Sequence, residues 1–140
     1  MTVQSAAERL RGLHFVNDGR VGLSEERRGK RSSFARQVLL QSVESCERAL
    51  TDYAKKVGVF KGHVLYRCLL RAIATMRTTI DLLEVEDERR ELAWRLTGEA
   101  CRAAAERCRQ AGLDESLLRC AAACDRAADE ADLVLTSLAH

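Results

Sequence analysis

Six cysteines are the residues of this 140-residue chain best suited to specific chemistry. Cys120 and Cys124 are four residues apart, so on a helix both thiols face the same way. Cys101 and Cys108 are seven residues apart, which corresponds to two helical turns. Buried thiolates that converge in a core are soft ligands and select Cu(I) first and Zn(II) second. The spacing therefore predicts a thiolate metal site with Cys120 and Cys124 as its first pair.

The cysteines also have two interpretations that involve no metal. Free cysteine is a common small residue of protein cores, so each thiol taken alone fits a packing role. The N-terminal segment MTVQSAAERLRGLHF lacks the apolar stretch of a secretory signal, and we therefore expect a cytoplasmic protein whose thiols stay reduced. A disulfide framework is less favoured, because a chain of this length can bury a core without such links.

Four amphipathic helices are the elements that must position these thiols. The chain has no proline, and its apolar residues recur at steps of three and four, the period of one helical face. The predicted helices cover residues 33–57, 62–83, 87–111 and 114–138, with Asp114 as the N-cap of the last. Their connections are short, so neighbouring helices must be antiparallel. We therefore predict an all-α, antiparallel up-down-up-down four-helix bundle over residues 32–140.

Residues 1–31 differ from the rest of the chain in composition. They contain four of the eight glycines and the whole charge run SEERRGKR. We predict that this segment is a flexible N-terminal arm, with a frayed terminus as the simplest interpretation. A docking segment centred on GRVGLSEE is the alternative.

The antiparallel register predicts which thiols share a level along the bundle. With loop centres near Val85 and Gly112, one slab about 5–6 Å thick holds four thiols. These are Cys68, Cys101, Cys120 and Cys124. In this arrangement Cys101 lies across from Cys124 and supplies the third sulfur of the metal site.

The remaining candidate ligands lie outside that slab. Cys108 falls level with His63, which is a candidate ligand at the end of the bundle where a metal would enter. Cys46 stands apart on the first helix, level with Ala74. On the third helix, the predicted inner face includes Leu92 and Leu96 together with the cysteines.

Charge and motifs exclude several classes of function. The net charge is +2 over the whole chain, and residues 32–140 are nearly neutral. A nucleic-acid-binding domain usually carries a large excess of positive charge, so this charge disfavours nucleic-acid binding. No apolar stretch reaches the length that crosses a membrane. None of the three histidines follows a glutamate by three residues, which disfavours a di-iron carboxylate site, and no nucleotide-binding or Ser–His–Asp pattern is present. We therefore expect a protein that is not an enzyme and binds neither nucleic acid nor a membrane.

Residues 65–135 resemble the cysteine-rich four-helix-bundle family that includes the bacterial copper-storage proteins. The resemblance lies in the segments YRCLLRAIATMRTTIDLL, GEACRAAAERCRQAG and LLRCAAACDRAADEADLVL, the last of which has the family's C-x-x-x-C form. Members of that family line the bundle core with cysteines and hold several Cu(I) ions by thiolate coordination. The resemblance places the following residues at cysteine positions of the family: Cys68, Cys101, Cys108, Cys120 and Cys124.

This chain departs from the family pattern by having fewer cysteines. Alanine stands where the family often repeats cysteine, at Ala72, Ala104, Ala105, Ala127 and Ala128. The resemblance therefore implies a low-capacity Cu(I)-binding protein, with Zn(II) as the second choice of metal. The alternative is a metal-free bundle that serves as a scaffold or interaction protein or as a small-molecule-binding accessory protein. A homo-oligomer and a protein partner both remain open.

Overall fold

The computed structural model describes residues 19–57, 63–85, 87–112 and 114–138. These residues form four α-helices and no β-strand. The helices are α1 (Gly19–Val57), α2 (His63–Leu82), α3 (Arg89–Gln110) and α4 (Glu115–Leu138). The predicted all-α four-helix bundle is confirmed. Among the described helices, none combines the length and the apolar character needed to cross a bilayer.

Helix α1 begins earlier than predicted. Its first residue is Gly19 rather than residue 33. The segment between them has no proline and is rich in charged helix-forming residues, so extending an existing helix through it costs little. The chain divides after Phe34 into two units, and the bundle belongs to the unit Ala35–His140. Residues 1–18 of the predicted arm lie outside the described residues, and the flexibility of residues 1–31 stays a prediction.

Local signals define the junction between α3 and α4 as expected. Gly112 has a φ of 133°, a conformation that suits the residue after a helix because glycine has no Cβ. The Asp114 carboxylate then accepts the backbone N–H groups of Ser116 at 2.9 Å and Leu117 at 3.4 Å. This satisfies two donors that a helix N-terminus leaves unpaired, and the predicted N-cap at Asp114 is confirmed.

Contacts between side chains of successive helices close the bundle. The guanidinium of Arg77 on α2 donates to Glu47 on α1 at 2.7 Å. The buried hydroxyls of Thr79 on α2 and Thr97 on α3 lie 2.8 Å apart. Arg102 on α3 pairs with Asp132 on α4. Contacts between α4 and α1 in the core complete the ring and form the site described below.

The faces that α3 and α4 turn to the core consist mainly of small residues. The buried residues of α3 are Ala93, Trp94, Thr97, Gly98, Ala100, Cys101, Ala104, Ala105 and Cys108. Leu92 and Leu96 are instead 55% and 45% exposed, so their predicted inward placement was wrong. Successive helical residues are about 100° apart, which puts both leucines on the side opposite Cys101. The alanine and cysteine stripe faces inward because it allows close packing against α4.

Candidate metal centre

Three cysteines from two helices meet in the core. Cys46 comes from α1, and Cys120 and Cys124 come from adjacent turns of α4. The Sγ atom of Cys46 lies 3.5 Å from that of Cys124 and 3.5 Å from that of Cys120. All three sulfurs lie within 4.8 Å of one another, and all three side chains are fully buried. Three soft ligand atoms therefore converge on one dry point.

Helical periodicity explains why these side chains point to one place. On α1 the fully buried positions Leu39, Ser42, Cys46 and Ala49 follow one another at steps of three and four, the period of one helical face. On α4 the steps from Leu117 through Cys120 and Cys124 to Ala128 do the same. Small side chains on both faces let the helices approach closely enough for the sulfurs to touch.

Ser42 provides the hydrogen-bonding environment of the cluster. Its hydroxyl donates to the Sγ atom of Cys124 across 3.8 Å, and the residue is fully buried. The sequence analysis did not identify this residue. The available signal was its position four residues before Cys46, which places both side chains on the same face of α1.

Cys124 is the sulfur that ionises most readily. The neighbouring thiols of Cys101, Cys120 and Cys46, and more weakly the Ser42 hydroxyl, favour the thiolate and hold the pKa of Cys124 well below its usual range. Burial opposes this shift because it disfavours a charged sulfur. The donors prevail, so the cluster favours one thiolate at Cys124 surrounded by protonated neighbours.

The neighbouring thiols hold their protons more tightly. The neighbouring Cys124 sulfur, with burial, raises the pKa of Cys101. The pKa of Cys120 is raised by the neighbouring sulfurs of Cys108, then Cys124 and Cys46. The hydrogen bond from Cys120 lowers the pKa of Cys46, but the bond with Cys124 and burial outweigh it and raise the pKa. A metal that binds here must therefore displace protons.

The structure confirms the placement of some predicted ligands and corrects others. Cys120 and Cys124 lie together as their spacing predicted. The prediction that Cys46 stands apart was wrong, because it is the centre of the cluster. The predicted level of Cys46 relative to α4 depended on three successive loop positions, and each residue of error in a loop centre shifts the level by about 3 Å. No loop joins α1 directly to α4, so loop length does not predict the register of these two helices.

The other predicted cysteine ligands, Cys68, Cys101 and Cys108, lie outside the three-sulfur group. Cys101 is fully buried on α3, and Cys124 is the main cause of its raised pKa; its position across from Cys124 stays a prediction. Cys108 was expected level with His63, away from the slab; it is fully buried on α3 and raises the pKa of Cys120. Cys68 is only half-buried on α2. His63 begins α2, and its side chain lies outside the described residues. Metal ligation by these four residues stays a prediction.

Comparison with known proteins yields no relative, because no family model, curated protein or solved structure matches the chain.

Proposed function

We propose that this protein is a low-capacity Cu(I)-binding protein that holds the ion through Cys46, Cys120 and Cys124. The observation that supports this most directly is the convergence of three fully buried sulfurs within 4.8 Å of one another. Such a site binds its metal rather than turning over a substrate, so we propose a binding protein and not an enzyme.

The spacing of the sulfurs suits a three-coordinate thiolate site. With a metal–sulfur bond of about 2.3 Å, three sulfurs arranged around one ion lie about 4.0 Å apart. The two distances from Cys46 are 3.5 Å, and every distance in the group is at most 4.8 Å. Small side-chain rotations that move each sulfur by a few tenths of an ångström bring the three sulfurs to that geometry.

The number of ligands favours Cu(I) over Zn(II). Structural zinc sites are almost always tetrahedral and use four ligands. In the described part of the chain, the group contains three sulfurs and no fourth cysteine, histidine or carboxylate. Thiolate ligands select Cu(I), which accepts two or three of them. The capacity is low because the chain has six cysteines in all.

The test is an anaerobic titration of the reduced protein with Cu(I) in competition with a chelator. Structural Zn²⁺ in zinc-finger peptides is bound with about 10–16 kcal/mol over four ligands, or about 2.5–4 kcal/mol for each ligand, and we use this as the scale for one metal–thiolate bond. Cys46→Ala should therefore weaken Cu(I) binding about 10²- to 10³-fold, and Cys120→Ala/Cys124→Ala should abolish it. Cys68→Ala is the matched control, because it also removes one thiol but lies outside the group.

Two outcomes would contradict the proposal. If the parent protein does not compete with the chelator, the thiols are core residues and the metal-free bundle is the better interpretation. If Cys101→Ala weakens binding as much as Cys46→Ala, or more, the third ligand comes from α3 and the assignment of Cys46 is wrong. Circular dichroism on each variant verifies that the helices are intact.

A further inference from the structure

The three clustered sulfurs are also placed for chemistry between themselves. Cys46 lies 3.5 Å from both Cys120 and Cys124. A disulfide requires an S–S distance of about 2.05 Å, so an approach of about 1.5 Å separates either contact from a covalent bond. Only one of the two bonds can form at a time, because both use the Sγ atom of Cys46.

Helix geometry excludes the third pair in the cluster. Cys120 and Cys124 are four residues apart on α4, and such residues have Cβ atoms about 5–6 Å apart. A disulfide needs Cβ atoms about 3.5–4.5 Å apart. A bond between these two cysteines would therefore require α4 to distort, whereas Cys46 reaches both of them from a different helix.

We propose that a hydroperoxide converts the metal-free cluster to a disulfide between Cys46 and Cys124, which links α1 to α4. Cys124 is the preferred partner because the Ser42 hydroxyl donates to its sulfur. Ser42 lies one turn before Cys46 on α1, so this bond draws the Cys124 sulfur toward the helix that carries Cys46. Cys120 instead donates to Cys46 and accepts no hydrogen bond from α1 among the described hydrogen bonds.

The reaction balances in two steps. The Cys124 sulfur attacks one oxygen of the hydroperoxide, the O–O bond breaks, and the alkoxide or hydroxide leaves and takes up the thiol proton, which gives a sulfenic acid. The Cys46 sulfur then attacks the Cys124 sulfur and breaks the S–O bond, and the departing hydroxide takes the Cys46 proton as water. Two thiols lose two electrons and two protons, and the hydroperoxide becomes an alcohol, or water when it is hydrogen peroxide, plus one water.

The disulfide would remove two of the three ligands from the candidate metal centre. Oxidation would then release Cu(I), a consequence that rests on the proposed function. The disulfide itself does not, because it requires only the reduced, metal-free chain. Because both sulfurs are fully buried, the oxidant reaches them through local opening of the bundle.

The experiment treats the full, reduced and metal-free chain with hydrogen peroxide, alkylates the remaining thiols in denaturant, and maps the linkage by mass spectrometry. We expect the major product to have two thiols fewer than the six of the parent, a Cys46–Cys124 link, and full recovery of the thiols with a dithiol reductant. A major link through Cys68, Cys101, Cys108 or Cys120, or over-oxidation without a link, would overturn the proposal.

Variants separate the two steps. Cys46→Ser should lose the link and accumulate a sulfenic acid at Cys124 that dimedone traps. Cys68→Ser, the matched control on α2, should form the link as the parent does. If Cys46→Ser does not fold, the linkage map of the parent still decides the question. Because no copper is present in this experiment, failure of the parent protein to form the disulfide refutes only the disulfide proposal. The chelator titration tests the copper proposal separately.

Discussion

Replacing Ser42 with alanine should raise the pH at which the thiol cluster loses its first proton. The Ser42 hydroxyl is buried beside Cys124 and donates to its sulfur at 3.8 Å. This bond contributes, after those from three neighbouring thiols, to the lowered pKa of Cys124. Alanine is nearly the same size as serine and lacks only the hydroxyl donor, so the substitution removes the hydrogen bond with little change in packing.

The size of the effect follows from the energy of a hydrogen bond to a charged group. Such a bond contributes about 1.5–3 kcal/mol net, and one pKa unit corresponds to about 1.36 kcal/mol. This range gives about one to two pKa units. The oxygen–sulfur distance of 3.8 Å is long, and the neighbouring thiols remain in the variant, so we expect a rise of about one unit. Because the thiols are coupled, the quantity that moves is the first proton loss of the whole cluster.

The assay is a pH titration of the metal-free protein under anaerobic conditions, followed by the ultraviolet absorbance of the thiolate. Ser45→Ala is the matched control. Ser45 lies on the same helix but lines a surface cleft of about 270 Å³ with Lys56, Asp114 and Arg119. The reasoning is refuted if Ser42→Ala titrates like the parent with its helices intact, or if Ser45→Ala shifts the titration equally.

Three further predictions concern the scaffold. Gly98→Ala should stabilise the bundle by about 0.5–1 kcal/mol in urea unfolding, because the added Cβ meets the nearest methyl of α4 at an ordinary 3.4 Å; a loss of stability would show that α3 and α4 cannot accommodate it. Thr79→Val should destabilise the fold by about 1–3 kcal/mol because it leaves the buried Thr97 hydroxyl without its 2.8 Å partner, and adding Thr97→Val should cost less than the two single changes combined. Asp87 accepts the backbone N–H of Arg89 at 2.8 Å and two bonds from its guanidinium, and these bonds lower its pKa from 3.8 to about 2. The stability from Asp87 is therefore present above pH 3.8 and lost as the pH falls through about 2, so Asp87→Asn should lower the Tm at neutral pH and match the parent near pH 2.

The sequence was sufficient to predict that there are four helices, though not where α1 begins, because most of the signals that define them are local. Apolar residues at helical spacing predict the four elements, and the Asp114 cap and Gly112 predict the junction of α3 and α4. The residues that form the inner face of α3 could also have been predicted correctly from the sequence. Hydrophobicity favoured Leu92 and Leu96, whereas the angle of each residue around the helix places them opposite Cys101.

The proximity of Cys120 to Cys124 also follows from local sequence. Residues four apart on a helix share a face whatever the helix packs against, so the sequence alone predicts that these two thiols lie together. It also predicts contact between Cys101 and Cys124, because a single short loop sets the register of α3 against α4.

The third sulfur depends on tertiary structure. Cys46 reaches Cys120 and Cys124 through the packing of α1 against α4, two helices that are far apart in the chain and share no loop. Their relative height is set by how the small residues of both faces interlock, and Ser42 is positioned beside Cys124 by the same packing. The sequence thus determined the helices and one pair of thiols, and only the closed bundle decided which third thiol completes the site, because long-range register is a property of packed surfaces rather than of residue spacing.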